Sequence, residues 1–198
     1  VPCLRPELVS GALYEAAAED IDVHALHHGF LRGVKSQGAV LRTDAQVHTA
    51  RHNGGGWDIV LGNDEAIRAT VVVNGAGAWA DEVATPFAVP LVGLVPRRRS
   101  AFTFKAPDGM DVSSWPAVVG VDEGWYFKPD AGRLLGSPAN ADDTVPHDVM
   151  PEELDIAIGI DRLQTATTLS IRRPERTWAG LRSFVSDGEL GIGFDNHV

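Results

Sequence analysis

The sequence predicts an α+β fold in two parts. A partial α/β segment covers 1–84, and an antiparallel sheet covered by a helix covers 85–198. Three observations carry this. Val71-Val72-Val73 runs into the turn Asn74-Gly75-Ala76-Gly77 and a helix-like stretch from Ala78, as a buried strand ending in glycines does. Val23, Leu26, Phe30 and Val34 recur at helical spacing. Past Pro86 the texture changes to short apolar runs separated by turn residues, with one amphipathic stretch after Pro151.

In chain order, Asp22 is the expected N-cap of the first helix, and Gly38 is placed to end it. Ala39 to Thr43 is read as a short strand. Trp57, Ile59 and Leu61 alternate, as do parts of Arg68 to Val73, with turns at Asn53-Gly54-Gly55 and Gly62-Asn63-Asp64. In the second part, strands are expected at Val92–Val95, Ser100–Phe104, Ala117–Val121, Trp125–Lys128 and Arg133–Gly136. Asp122-Glu123-Gly124 and Asp130-Ala131-Gly132 are expected hairpin turns. Pro151 suits the first position of a helix, Glu152 and Glu153 suit its positive end, and Ile156, Ile160 and Leu163 give it an apolar stripe. Leu169–Ile171 and Thr177–Phe184 return to strands.

Composition narrows the function. The 198 residues carry a net charge of −10, which argues against nucleic acid or an anionic membrane surface as a partner. Six acids fall between Asp142 and Asp155, read as a solvated loop and a helix start. No apolar run approaches a membrane span. One cysteine, Cys3, allows no internal disulfide and suggests a reducing, cytoplasmic setting. His24, His27 and His28 have a spacing a metal pair could use, but no carboxylate or cysteine motif completes a site, so no metal is expected. There is no Ser–His–Asp motif, P-loop or cysteine pair.

The segment Val71 to Asp81 resembles the "VVNAAGAWA" stretch of the FAD-dependent amine and amino-acid oxidoreductases, the family of D-amino-acid oxidase, glycine oxidase and sarcosine oxidase. Trp178-Ala179-Gly180-Leu181-Arg182 resembles the "WAGLRP" strand of the same family, with Ser183 in place of its proline. Trp125 to Pro129 with Gly132 to Gly136 resembles its "YxxP…GRLxxG" hairpin, and Asp187 to Gly193 its "DG-x-P-x-I-G" loop, with Leu190 replacing the proline. The resemblance covers Pro2 to Phe194.

It implies a FAD cofactor and a small amino-acid or secondary-amine substrate oxidised by hydride transfer to the flavin. Arg182 would pair with the substrate carboxylate, a task suited to a guanidinium fork, and Tyr126 would hydrogen-bond it. Asn74, Ala76, Gly77, Trp79 and Gly180 would lie against the cofactor. Val47 would meet the adenine, and Arg99, within Arg97-Arg98-Arg99, would sit near the ring. A solvated basic turn is the other reading of those three arginines, and a packed aromatic the other reading of Tyr126. No residue is expected to act as acid, base or nucleophile, because the chemistry needs orientation rather than proton transfer.

The family's opening G-x-G-x-x-G, which holds the pyrophosphate at a helix N-terminus, occurs nowhere in these residues. The chain therefore reads as the central part of such an enzyme. It is expected to be inactive alone and to self-associate or pair with a missing flavin-binding half. The competing expectation is a non-catalytic fragment or subunit that binds a substrate or a partner without flavin.

Overall fold

A computed structural model describes residues 1–195; the end of the second sequence-predicted part, 196–198, lies outside the described residues. The chain divides into two compact units. One is Gly11–Val72. The other joins Val1–Ser10 to Val73–Val198.

In the first unit, helix α1 is Val23–Ser36. Its start follows the sequence reading: the Asp22 carboxylate accepts a hydrogen bond from the Ala25 amide at 2.8 Å, satisfying one otherwise free donor. Gly38, with φ +82, follows the last turn. The apolar stripe is present but covered by nothing, since α1 buries none of its side chains. Strands β1 (Val47–His52), β2 (Trp57–Leu61) and β3 (Ala66–Ala69) form an antiparallel sheet in sequence order. Trp57, Ile59 and Leu61 are buried while Asp58 is exposed, as their alternation requires.

Two strands expected before Ala84 are absent. Ala39–Thr43 is irregular, and the strand begins only at Val47. Val71–Val73 is irregular as well, with Val71 and Val73 exposed. β-branched residues favour a pleated surface only where neighbouring strands supply partners. Neither segment has a partner strand among the described residues.

The second unit opens with a short helix, α2 (Ala80–Ala84), and is built on a six-stranded sheet. Its strands are β4 (Val95–Lys105), β5 (Val118–Val119), β6 (Tyr126–Asp130), β7 (Arg133–Ser137), β8 (Asp142–Asp143) and β9 (Arg176–Phe184). Every pairing is antiparallel, in the order β5-β6-β7-β4-β8, with β9 along the other edge of β4. The β6–β7 hairpin turns at Asp130–Gly132, as expected, with Ala131 and Gly132 at positive φ.

Val92–Leu94 is not a strand; its amides are taken by Asp81, whose carboxylate accepts from Val92 N at 3.0 Å and Leu94 N at 2.9 Å. Leu169–Ile171 is not a strand either, although Leu169 and Ile171 are buried. Ile171 donates its amide to the Gln164 side chain instead of to a ladder.

Helix α3 (Glu153–Ala166) covers one face of this sheet. Pro151 lies two residues before it rather than at its first position. Phe102, Phe104, Phe127, Leu134, Ile156 and Leu163 form the core between helix and sheet. Packing there is close: a Cβ at Gly159 would stand 2.8 Å from Phe102 and 2.9 Å from Pro138. The N-terminal segment is tied to the far end of α3, where Thr168 donates its amide to the Cys3 carbonyl at 2.8 Å. Among the described residues, no helix is long and apolar enough to cross a membrane.

Candidate functional site

Strand alternation sorts the six-stranded sheet into two faces. Ser100, Phe102 and Phe104 of β4 turn towards α3. Arg97, Arg99 and Ala101 turn the other way. In the β4–β9 register Arg97 faces Arg182, Arg99 faces Gly180 and Ala101 faces Trp178. Tyr126 pairs with Ser137, which puts it on the same face as Leu135. This face carries an open depression of about 520 Å3 lined by Arg99, Ala101, Tyr126, Leu135, Trp178, Gly180, Leu181 and Arg182. Four of the residues singled out from sequence, Arg99, Tyr126, Gly180 and Arg182, therefore come together.

The floor is open at Gly180, where a Cβ would meet nothing within 4 Å. Arg182 is exposed and, among the described residues, makes no ion pair. Arg99 is held more firmly. It donates from Nε to the Asn140 carbonyl at 3.0 Å and from Nη2 to the Ala139 carbonyl at 2.9 Å. Burial pushes its guanidinium below the usual arginine range, and the charge of Arg182 pushes the same way.

The loop that holds Arg99 is itself anchored. Asn140 accepts from the Ser100 amide at 2.9 Å and donates to Asp155 at 3.1 Å. Ser137 donates to the Ser100 carbonyl at 2.7 Å. Asp155 is buried and also accepts from Ser100 Oγ at 2.7 Å and Arg98 Nε at 3.1 Å. Arg98 further pairs with Asp142 and Glu152. Burial alone would lower the Arg98 pKa, but the three carboxylates outweigh it and raise it.

The three arginines are thus not a solvated turn. Arg97 pairs with Asp143 at 2.8 Å and lies over the Phe184 ring; Arg98 is locked under the sheet; Arg99 faces the depression. Of the acid run, Asp142, Asp143 and Glu152 are exposed, as a solvated loop and helix start require, yet they also pair with the arginines, and Asp155 alone is buried. Sequence reasoning missed Asn140 and Asp155. The one available signal was the presence of an arginine run, 97–99, and a later acid run, 142–155, of opposite charge.

The turn from Asn74 to Trp79 is built locally. Asn74 Oδ1 accepts from the Ala76 amide at 3.2 Å and its Nδ2 donates to the Ala80 carbonyl at 2.8 Å. Gly77, at φ +57, starts a 3-10 turn through Trp79, which leads into α2. This turn packs against β9, the strand of Gly180 and Arg182. Val47 is not part of this group; it belongs to the unit Gly11–Val72, half-buried opposite Leu61. The His24 and His28 rings lie tilted against each other on α1, with centroids 4.2 Å apart. Among the described residues, no group of three or more His, Cys, Asp and Glu comes together to hold a metal.

The fold is shared with oxidases and a dehydrogenase of solved structure. Glycine oxidase from Geobacillus kaustophilus superposes with a TM-score of 0.71 at 22% identity, over 87% of this chain and 45% of that chain. Iminodiacetate oxidase from Chelativorans sp. BNC1 gives 0.69 at 23% identity, over 82% and 43%. L-proline dehydrogenase from P. horikoshii gives 0.67 at 18%, over 86% and 46%. At these identities the likeness is one of fold, and the chain spans less than half the length of each. The family description "FAD dependent oxidoreductase" (DAO) matches residues 2–198, and the chain belongs to that family.

Proposed function

We propose that this chain supplies the substrate-binding face of a FAD-dependent oxidoreductase that oxidises an amino acid or secondary amine. The observation that carries this is the convergence of Arg182, Tyr126, Gly180 and Arg99 on one depression, on the face of the sheet that α3 leaves open. Arg182 binds the substrate carboxylate as a fork, and the half-buried Tyr126 hydroxyl adds a hydrogen bond. Together they orient the α-carbon, so that little acid–base chemistry is asked of the protein.

FAD, when bound, accepts the hydride. The residues present suit its flat ring: Gly180 leaves the floor open, and Gly77, in the turn beside β9, has nothing within 4 Å of a would-be Cβ. Asn74, Ala76, Gly77 and Trp79 would border the cofactor, with Arg99 the cation nearest that border and Val47 a contact for the adenine. The functional division we propose remains 1–84 with the cofactor and 85–198 with the substrate and the return strand β9.

The G-x-G-x-x-G that would hold the pyrophosphate does not occur in these residues. The α-helix that follows the Gly-Ala-Gly turn, after the 3-10 turn through Trp79, is α2, of five residues. This observation favours the second reading, that these 198 residues alone bind a substrate or partner without turning it over. We accordingly expect the purified chain to be colourless and inactive. A stoichiometric flavin absorbance copurifying with it would contradict that. A cytoplasmic setting agrees with the single cysteine, buried and unpaired.

The test of the site is calorimetric titration of the chain with sarcosine. Arg182→Lys should weaken binding by about 1–3 kcal/mol, since a point charge replaces a fork. Unchanged affinity would remove the carboxylate role.

A further inference from the structure

We infer that the depression has a second anion-binding position at Arg99, and that the substrate carries two acidic groups, one on Arg182 and one on Arg99. The inference rests on the reading of Arg182 as the carboxylate site and extends it.

Three consecutive arginines have three different fates. Arg97 is neutralised by Asp143, and Arg98 by Asp142, Glu152 and Asp155. Arg99 has no carboxylate within ion-pair distance among the described residues. Glu123 acts on it only from farther away. Its protein partners are the neutral carbonyls of Ala139 and Asn140. Those bonds use Nε and one hydrogen of Nη2, which leaves Nη1 for a ligand.

Arg99 and Arg182 stand on diagonally related positions of β4 and β9, so their backbones are roughly 7–8 Å apart. The lining of the depression holds these two cations and no acid. Two half-screened like charges repel, and a ligand with two negative charges relieves both at once. One carboxylate could neutralise only one of them.

The loop beneath Arg99 makes this a prepared position. Asn140 is tied to Ser100 and to buried Asp155, and Ser137 to Ser100. The guanidinium is therefore aimed before a ligand arrives, which lowers the ordering cost of binding. A residue that served only the flavin ring, or only the loop, would give no preference between mono- and diacids.

The test compares succinate with butyrate, equal in carbon count, by isothermal titration of the 198-residue chain. Succinate should bind about tenfold tighter. Arg99→Gln should remove the difference between the two acids, and Arg99→Lys, which keeps the charge, should retain part of it. Arg182→Gln should weaken both. Far-UV circular dichroism and melting of each variant identify any that fail to fold. Equal affinities for the two acids, with Arg182→Gln still weakening both, would overturn the second position and leave the first. If Arg182→Gln weakened neither, or neither acid bound, the carboxylate site and the second position would both fall.

Discussion

Arg99 lies directly opposite Gly180 in the pairing of β4 and β9. The residue with the long charged side chain and the residue with none face each other across one rung, on the face that α3 does not cover. The depression exists because of this pairing: a guanidinium at its wall and bare backbone at its floor.

Gly180→Val tests the floor. The added Cβ meets only open space, and valine suits a strand, so stability should hold or rise by about 0.4–1 kcal/mol. Binding of small carboxylates should fall, because the branched side chain rises into the depression. Thermal melting and calorimetry on the same variant read the two effects separately. A loss of stability with binding intact would mean that Gly180 serves the fold and not the site.

Asp155→Ala tests the anchor under the sheet. The change leaves Arg98, whose side chain is 14% exposed, short of its most buried partner, strips the Ser100 hydroxyl of its acceptor, and leaves the Asn140 amide donating only to Asp142. Breaking a buried pair in this way costs about 3–5 kcal/mol. Urea unfolding should show a large drop in midpoint with the slope unchanged. A change under about 1 kcal/mol would mean that Asp142 and Glu152 suffice to hold Arg98.

Cys3 gives a pH prediction. Burial raises its thiol pKa, against smaller opposing effects of its own backbone and the N-terminal charge. The folded chain therefore holds the thiol proton more tightly than the unfolded chain. That contribution to stability is whole below the unfolded thiol's pKa of about 8.5, and is lost as pH rises through the higher folded value. As the pH rises above about 8.5 the urea midpoint should fall more steeply in the wild type than in Cys3→Ala. Parallel curves would show that the thiol does not titrate with folding.

The exposed apolar residues predict association. Val73 is 87% exposed, and Leu26 and Phe30 of α1 lie open as well. Surfaces of this kind seldom stay bare on a soluble monomer. Light scattering should find a dimer or larger, or hydrogen exchange should find weak protection over Ala39–Ala84. A monomer with uniformly strong protection there would contradict both.

What could be read from sequence followed the range of the interaction responsible. Helix α1 was legible at its start because its cap spans three residues. The β6–β7 hairpin was legible because its turn is local. The strand expected at Val71–Val73 was not formed, because strand propensity is realised only by pairing with segments far along the chain. Arg98 and Asp155 lie 57 residues apart and join only once β4 and α3 have packed, so each read alone as a solvated charge. At the site, Arg182, Tyr126, Gly180 and Arg99 were legible as a resemblance. Asn140 had no motif around it, and its role exists only through the register of β4 with its neighbours.

The central claim, that Arg182 receives a substrate carboxylate, is tested most directly by nuclear magnetic resonance of the isotopically labelled chain during titration with glycine. The account predicts that the Arg182 Nε–H resonance moves together with the Gly180 amide and the Tyr126 ring, and that Arg133, already paired with Glu175, stays still. Movements confined to other parts of the chain, with Arg182 and Gly180 unchanged at saturating glycine, would contradict it.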